Sequence, residues 1–194
     1  RMSKMAYAAS FGYESFPSNL AKQCGKALGN FDCIGVRETE GSALVRTLSG
    51  ADSSVVLDPT LLFRKADWEE VITSGSIRDS ILELTEQDQG YLFVYIAAER
   101  SKTISFARRV AKQRNLNMVL IRGYRDLPVI CCGKDVSYAS LEEFLFLIQH
   151  ASLVVTSSFH GYALSLALEK DMYFSLVNGS NSKNSRLLSL AKIT

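Results

Sequence analysis

The sequence predicts an α/β protein built on parallel, Rossmann-like sheets, and three observations carry that prediction. Apolar runs of strand length alternate with segments of helical period along most of the chain. The spacing is short, βαβαβ, the pattern of a parallel sheet covered by helices on both faces. Between Glu143 and Glu169 no Asp, Glu, Lys or Arg occurs, and this stretch reads as a buried strand flanked by two helices. With 47% hydrophobic and 22% charged residues among 194, the chain can build a real core, which excludes disordered and low-complexity classes.

In order, Met5–Ser10 reads as a strand, Asn19–Leu28 as a helix, Cys33–Val36 as a short strand and Gly41–Leu48 as a helix. Val55–Leu57 is a third strand, stopped at Asp58-Pro59 because proline cannot continue a ladder. Asp67 to Gln89 is more polar and reads as a connection, with a short helix over Asp67–Ile72 that turns Trp68 inward. The alternation then resumes. Tyr91–Ala97 is a strand, and Lys102–Gln113 a helix with Ile104, Ala107, Val110 and Ala111 on one face. Met118–Ile121 is a strand and Gly123–Ser137 a loop. Ser140 followed by Glu143 is a capping-box signature that opens a helix carrying Leu141, Phe144, Leu145 and Ile148. Leu153–Thr156 is a buried strand, Phe159–Leu168 a helix, Met172–Leu176 a strand and Asn184–Ala191 the start of another helix. The organisation expected is residues 1–65 as the C-terminal part of one Rossmann-like domain, 66–90 as a connection and 91–194 as a second domain. Both ends read as cut from a longer chain.

The charge balance, 22 basic against 20 acidic residues for a net +2, is too mild to argue for nucleic acid. Arg108, Arg109, Lys112 and Arg114 are spaced as the solvated face of a helix. The uncharged stretch is not a membrane segment, because Gln149, His150, Ser152, Thr156, Ser157, Ser158, His160 and Gly161 would need partners in lipid. Cys24, Cys33, Cys131 and Cys132 lack metal-ligand spacing, and no cluster of carboxylates and histidines supports a metal. Structural thiols in a reducing cytoplasm are the expectation, with no cofactor.

In open parallel sheets, ligands bind beyond the carboxyl ends of the strands. The most informative such position is Val154-Val155-Thr156-Ser157-Ser158-Phe159-His160-Gly161, where a buried strand delivers two serines, a histidine and a glycine to the first turn of a helix. That turn carries backbone N–H groups without helical partners and favours an anion. Ser157 and Ser158 add hydroxyls, Gly161 permits close approach of a ligand or a neighbouring element, and His160 brings a titratable ring. The alternative is local capping and packing.

Arg37 directly follows the strand Cys33–Val36 and offers a planar fork to a carboxylate or phosphate; a surface pair with Glu38 is the alternative. Asp58-Pro59-Thr60 reads as a turn, with ligand contact as its second reading. After the last strand, Lys183 and Arg186 could add positive charge, and Arg125 and Lys134 offer a weaker version of the same. Phe144, Phe146, Tyr162 and Phe174 fit core packing.

These blocks in this order resemble the polysaccharide pyruvyl transferase family. The residues that carry the resemblance are Tyr7-Ala8-Ala9-Ser10-Phe11-Gly12, Ile34-Gly35-Val36-Arg37-Glu38 with Gly41, and Val56-Leu57-Asp58-Pro59-Thr60-Leu61-Leu62 with Trp68. Further on come Tyr91-Leu92-Phe93-Val94-Tyr95, Ser140 to Phe144, Val155 to Gly161 and Asn184-Ser185-Arg186. The resemblance implies a GT-B-like arrangement of two Rossmann-like domains, of which the N-terminal one is incomplete here. It also implies transfer of a pyruvyl group from phosphoenolpyruvate to a sugar of a cell-surface polysaccharide or its precursor, forming a ketal, in the cytoplasm or at the inner face of the membrane. Position by position, it implies donor binding by Arg37 and catalysis by His160; Ser157, Ser158, Gly161, Lys183 and Arg186 are the substrate-binding candidates that the residues themselves suggest. Many members carry an arginine two residues before the histidine, where this chain has Ser158. A GT-B-like glycosyltransferase using a nucleotide-sugar and a non-catalytic sugar-binding module are the competing expectations.

Overall fold

The structure, a computed structural model, describes residues 2–12, 16–97, 100–122 and 133–176. The predicted helix Asn184–Ala191, together with Arg125, Cys131, Cys132, Lys183 and Arg186, lies outside the described residues. The chain divides after Leu62 into two compact units, and Phe63–Leu176 form the second.

The first unit holds β1 (Met5–Ala9), α1 (Ser18–Leu28), β2 (Cys33–Val36), α2 (Thr39–Ser49) and β3 (Ser54–Val55), followed by a 3-10 turn over Pro59–Leu61. Its sheet is three-stranded and parallel in the order β1-β2-β3. Ile34 and Val36 on β2 alternate inward and meet Val45 of α2, with Ala6, Phe11 and Leu28 packed around them. The register of β1 slips between Ala6 and Ala9, where Ala8 adopts a positive φ of 53°. Such an irregularity bends a strand and re-aims the residues after it, here Ser10 and Phe11. β3 is shorter than the sequence predicts because the ladder ends before the Asp58-Pro59 turn.

The second unit holds α3 (Lys65–Ser74), α4 (Asp79–Thr85), β4 (Tyr91–Ile96), α5 (Arg100–Arg114), β5 (Asn117–Arg122), β6 (Lys134–Asp135), α6 (Leu141–His150), β7 (Leu153–Thr156), α7 (Phe159–Ala167) and β8 (Met172–Phe174). Its five strands run parallel in the order β6-β5-β4-β7-β8. β4 shows why both faces must be covered. Leu92, Val94 and Ile96 point to one side, against Ile104, Ala107, Val110 and Ala111 of α5. Tyr91 and Phe93 point to the other, against Leu145 and Ile148 of α6 and Leu164 of α7. Burying a side chain such as Phe93 completely is worth about 1.5–3 kcal/mol, and Phe93 is 0% exposed.

Residues 66–90, read from the sequence as a connection, form α3 and α4 and belong to this second core. Ile72, Ile81 and Leu84 are buried in the same cluster as Phe93, with Trp68, Val71 and Ile77 against it. The short helix expected over Asp67–Ile72 lies within α3 and turns Trp68 onto this cluster, whereas α4, beyond the break from Gly75 to Arg78, is too short to show a helical period. β6 likewise falls inside the predicted loop Gly123–Ser137, and two residues give too little pattern to read. The uncharged stretch from Phe144 to Leu168 is the interior of this unit, comprising most of α6, all of β7 and α7.

Candidate functional site

Strand order locates the crevice where a doubly wound sheet binds ligands. From β4 the chain crosses outward to β5 and β6, then returns through α6 to β7 on the opposite side of β4. The direction of winding therefore reverses between β4 and β7, and the space beyond their carboxyl ends is the topological switch point. The segment Thr156 to Gly161 sits there.

Thr156 ends β7 and is fully buried. Its hydroxyl donates to the Tyr95 carbonyl at 2.8 Å and accepts the Ser158 N–H at 3.0 Å. The Ser157 N–H donates to the Tyr95 carbonyl at 3.2 Å, and the Ser157 hydroxyl accepts the Ala97 N–H at 3.1 Å, closing the gap between the exits of β4 and β7. Ser158 is the N-cap of α7, its hydroxyl oxygen accepting the Gly161 N–H at 3.4 Å. The two serines, 5% and 6% exposed, thus shape the turn. Gly161 is close-packed against the strand rather than left open for a ligand: a Cβ there would overlap Thr156 Oγ1 and lie 3.0 Å from Tyr95 Cδ1.

His160 is different. It occupies the second position of α7, its side chain exposed and its ring edge-on to Phe159 with centroids 5.5 Å apart. The turn is buried and hydrogen-bonded, and the imidazole stands exposed beside it. An anion beside this helix start gains about 0.3–1 kcal/mol from the helix dipole at an exposed position. The second histidine, His150, closes α6 with its Nδ1 3.0 Å from the Phe146 carbonyl oxygen and takes no part in the turn.

Arg37 belongs to the first unit and is built into a different set of strand ends. Its guanidinium pairs with Asp58 after β3, with the two side chains 17% and 3% exposed. Asp58 also accepts the Thr60 N–H at 3.0 Å and the Thr60 hydroxyl at 2.7 Å. Burial pushes the Asp58 carboxyl up, but the Thr60 donors and the Arg37 guanidinium outweigh it and hold the group below the usual carboxylate range. The neighbour of Arg37, Glu38, is wholly buried and turns the opposite way. Its carboxylate accepts the Ser10 hydroxyl at 2.8 Å and the Phe11 N–H at 3.0 Å, fixing the chain after β1. Gly41 makes room for it, since a Cβ would sit 3.3 Å from Glu38 Cγ. Arg37 is tied to Asp58 after β3 and Glu38 to Ser10 and Phe11 after β1, so each residue is bound to a different neighbouring strand exit.

The structure therefore brings Ser157, Ser158, His160 and Gly161 into one turn, and Arg37 into a group with Asp58 and Thr60. Residue type alone connects neither Asp58 with Arg37 nor Glu38 with Ser10; the available signal is that all four lie within the three residues after a strand of one parallel sheet. Lys134 lies exposed on β6. Arg122 on β5 is held by Asp135 on the adjacent strand, and Ser137 accepts the Arg122 N–H at 3.0 Å. Among the described residues, no group of three or more His, Cys, Asp or Glu side chains could hold a metal ion, and no helix is long and apolar enough to cross a membrane.

Comparison with solved structures supports the Rossmann-like, GT-B-like fold class. The UDP-GlcNAc 2-epimerase of Methanocaldococcus jannaschii, in complex with UDP-GlcNAc and UDP, is similar at a TM-score of 0.54 and 14% identity, over 84% of this chain and 54% of its own. The UDP-GlcNAc 2-epimerase of Neisseria meningitidis bound to UDP-GlcNAc is similar at 0.51 and 11% identity, over 86% of this chain and 54% of its own. The chain thus spans about half the length of these proteins. No curated protein matches it in sequence. The family profile described as polysaccharide pyruvyl transferase matches residues 2–173, which include every strand exit described above. On that match the chain belongs to the polysaccharide pyruvyl transferase family, a family of transferases.

Proposed function

We propose that the protein transfers a pyruvyl group from phosphoenolpyruvate to two hydroxyls of a saccharide, forming a ketal, with His160 as the catalytic residue and Arg37 as a donor-binding residue. The observation that carries this reading is the exposed imidazole at the start of α7, at the switch point of the second sheet, in a chain of this family.

The donor is an enol phosphate carrying a carboxylate. Protonation of its methylene carbon makes the bridging carbon electrophilic; one sugar hydroxyl adds there, the second displaces phosphate, and the two hydroxyl protons are accounted for by the new methyl group and the departing phosphate. An imidazole, which can both give and take a proton, suits the first proton transfer, a step worth about 10²–10⁴-fold when a side chain is positioned for it. Arginine suits the anion, because its fork matches carboxylate and phosphate and cannot be neutralised.

Ser158 stands where many family members carry arginine. Here it caps α7, and on this reading Lys183 or Arg186 supplies the missing charge. The saccharide acceptor belongs to a cell-surface polysaccharide or its precursor, and the reaction takes place in the cytoplasm or at the inner face of the membrane without a cofactor.

The alternative is a nucleotide-sugar donor, in keeping with the UDP-GlcNAc bound by both fold relatives. Thermal shift of the whole protein against phosphoenolpyruvate and a panel of nucleotide-sugars separates the two, since only a ligand that binds the native state raises the melting temperature. A shift with phosphoenolpyruvate alone is expected. A shift with a nucleotide-sugar alone overturns the proposal.

A further inference from the structure

We propose that Asp58 is a positioning residue that aims the Arg37 guanidinium at the anionic donor, and that Thr60 in turn holds Asp58. The inference rests on the reading of Arg37 as a donor-binding residue and goes beyond it by naming what fixes that side chain.

The two carboxylate oxygens of Asp58 divide the work. Oδ1 accepts both Thr60 donors, at 3.0 Å from the N–H and 2.7 Å from the hydroxyl, and Oδ2 accepts from Arg37 Nη1. One oxygen of the anchor is therefore held by Thr60 while the other meets the arginine. Asp58 is 4% exposed, caps the 3-10 turn Pro59–Leu61, and precedes a proline whose ring fixes the backbone.

The backbone of Arg37 is fixed from both sides as well. Its N–H donates to the Ala9 carbonyl of β1 at 2.9 Å, and the preceding Val36 is in register with Val55 of β3. Arginine is long and flexible, and a solvent-exposed ion pair restrains it little. A buried carboxylate that is itself doubly held removes most of that freedom, and preorganised charge binds a ligand without first being ordered.

A purely structural tie between β2 and β3 makes a different prediction from a positioning role, and Thr60 separates the two. Thr60→Val keeps the N–H bond to Asp58 and loses the hydroxyl; Thr60→Ser keeps both. Asp58→Asn preserves shape but presents an amide NH₂ either to the Thr60 donors or to the Arg37 donors, because both oxygens now accept.

The test is steady-state kinetics on the whole protein with phosphoenolpyruvate and acceptor, alongside melting temperature, for Arg37→Gln, Asp58→Asn, Thr60→Val and Thr60→Ser. The loss of one hydrogen bond in the positioning chain corresponds to about a fivefold rise in donor KM for Thr60→Val. Larger rises are expected for Asp58→Asn and Arg37→Gln, with acceptor KM unchanged and Thr60→Ser restoring the wild-type value. If Arg37→Gln raises donor KM while Asp58→Asn and Thr60→Val change only the melting temperature, Asp58 is a structural tie and the positioning role is overturned. If Arg37→Gln leaves donor KM unchanged, the reading of Arg37 fails and the positioning role fails with it. Should Asp58→Asn not fold, Thr60→Val against Thr60→Ser decides the question.

Discussion

Arg78 and Glu143 lie 65 residues apart and meet as a two-point pair, Arg78 Nε donating to one carboxylate oxygen at 2.6 Å and Nη2 to the other at 2.7 Å. The same carboxylate accepts the Arg78 N–H at 3.1 Å and the Ser140 N–H at 2.9 Å, so one buried side chain closes the capping box of α6 and fixes the start of α4. The Arg78 hydrogen bonds outweigh burial and lower the Glu143 carboxyl from 4.5 to about 2.

Because the folded value lies below the unfolded one, the stability Glu143 contributes is complete above about pH 5 and is lost as pH falls toward 2. Arg78 is half-exposed, which screens the pair, so Glu143→Gln is expected to cost roughly 1–2 kcal/mol at neutral pH. The difference in melting temperature between wild type and variant should shrink steadily from pH 5 to pH 2.5. A constant difference across that range would sink the assignment.

Gly161→Ala is expected to destabilise the second unit, since the new methyl group meets Thr156 Oγ1 and Tyr95 Cδ1, both held in place. Overpacking of this kind costs about 1–3 kcal/mol. Urea unfolding should show a lower midpoint with an unchanged slope. A variant as stable as wild type would mean that the turn can open.

Ser158→Ala removes the cap of α7 and should cost about 1 kcal/mol. Ser158→Asn or Asp, which can accept the same N–H, should recover most of the loss. Chemical denaturation of the three variants checks this order.

His160→Ala should leave stability nearly untouched, because the side chain is exposed and supports no core. Substitutions of this kind usually stay within about 0.5 kcal/mol. Formation of ketal and release of phosphate should fall by about 10²–10⁴-fold. A stable variant with wild-type turnover would remove His160 from the chemistry.

The parallel sheets and the turn at Thr156–Gly161 were legible because each strand exit is local in sequence: an apolar run followed by Ser, His, Arg or Asp. The capping box at Ser140 and Glu143 was legible for the same reason, its two partners being three residues apart. Pairing across strands escaped. Arg37 and Asp58 are 21 residues apart, and Ser10 and Glu38 are 28 apart; nothing in either local pattern names the other. Glu38 in particular looks like a surface acid by type and is wholly buried in fact. α3 was legible in part, as the short helix over Asp67–Ile72 with Trp68 inward; α4 escaped because its seven residues complete their apolar face only against α6 and the sheet.

The turn beneath His160 is braced by Thr156, Ser157 and Ser158, whose hydroxyls keep one chemical form throughout the range in which enzymes are assayed. The brace is therefore silent in a titration. A bell or a step in a pH–rate profile therefore cannot originate in the ionisation of these three hydroxyls.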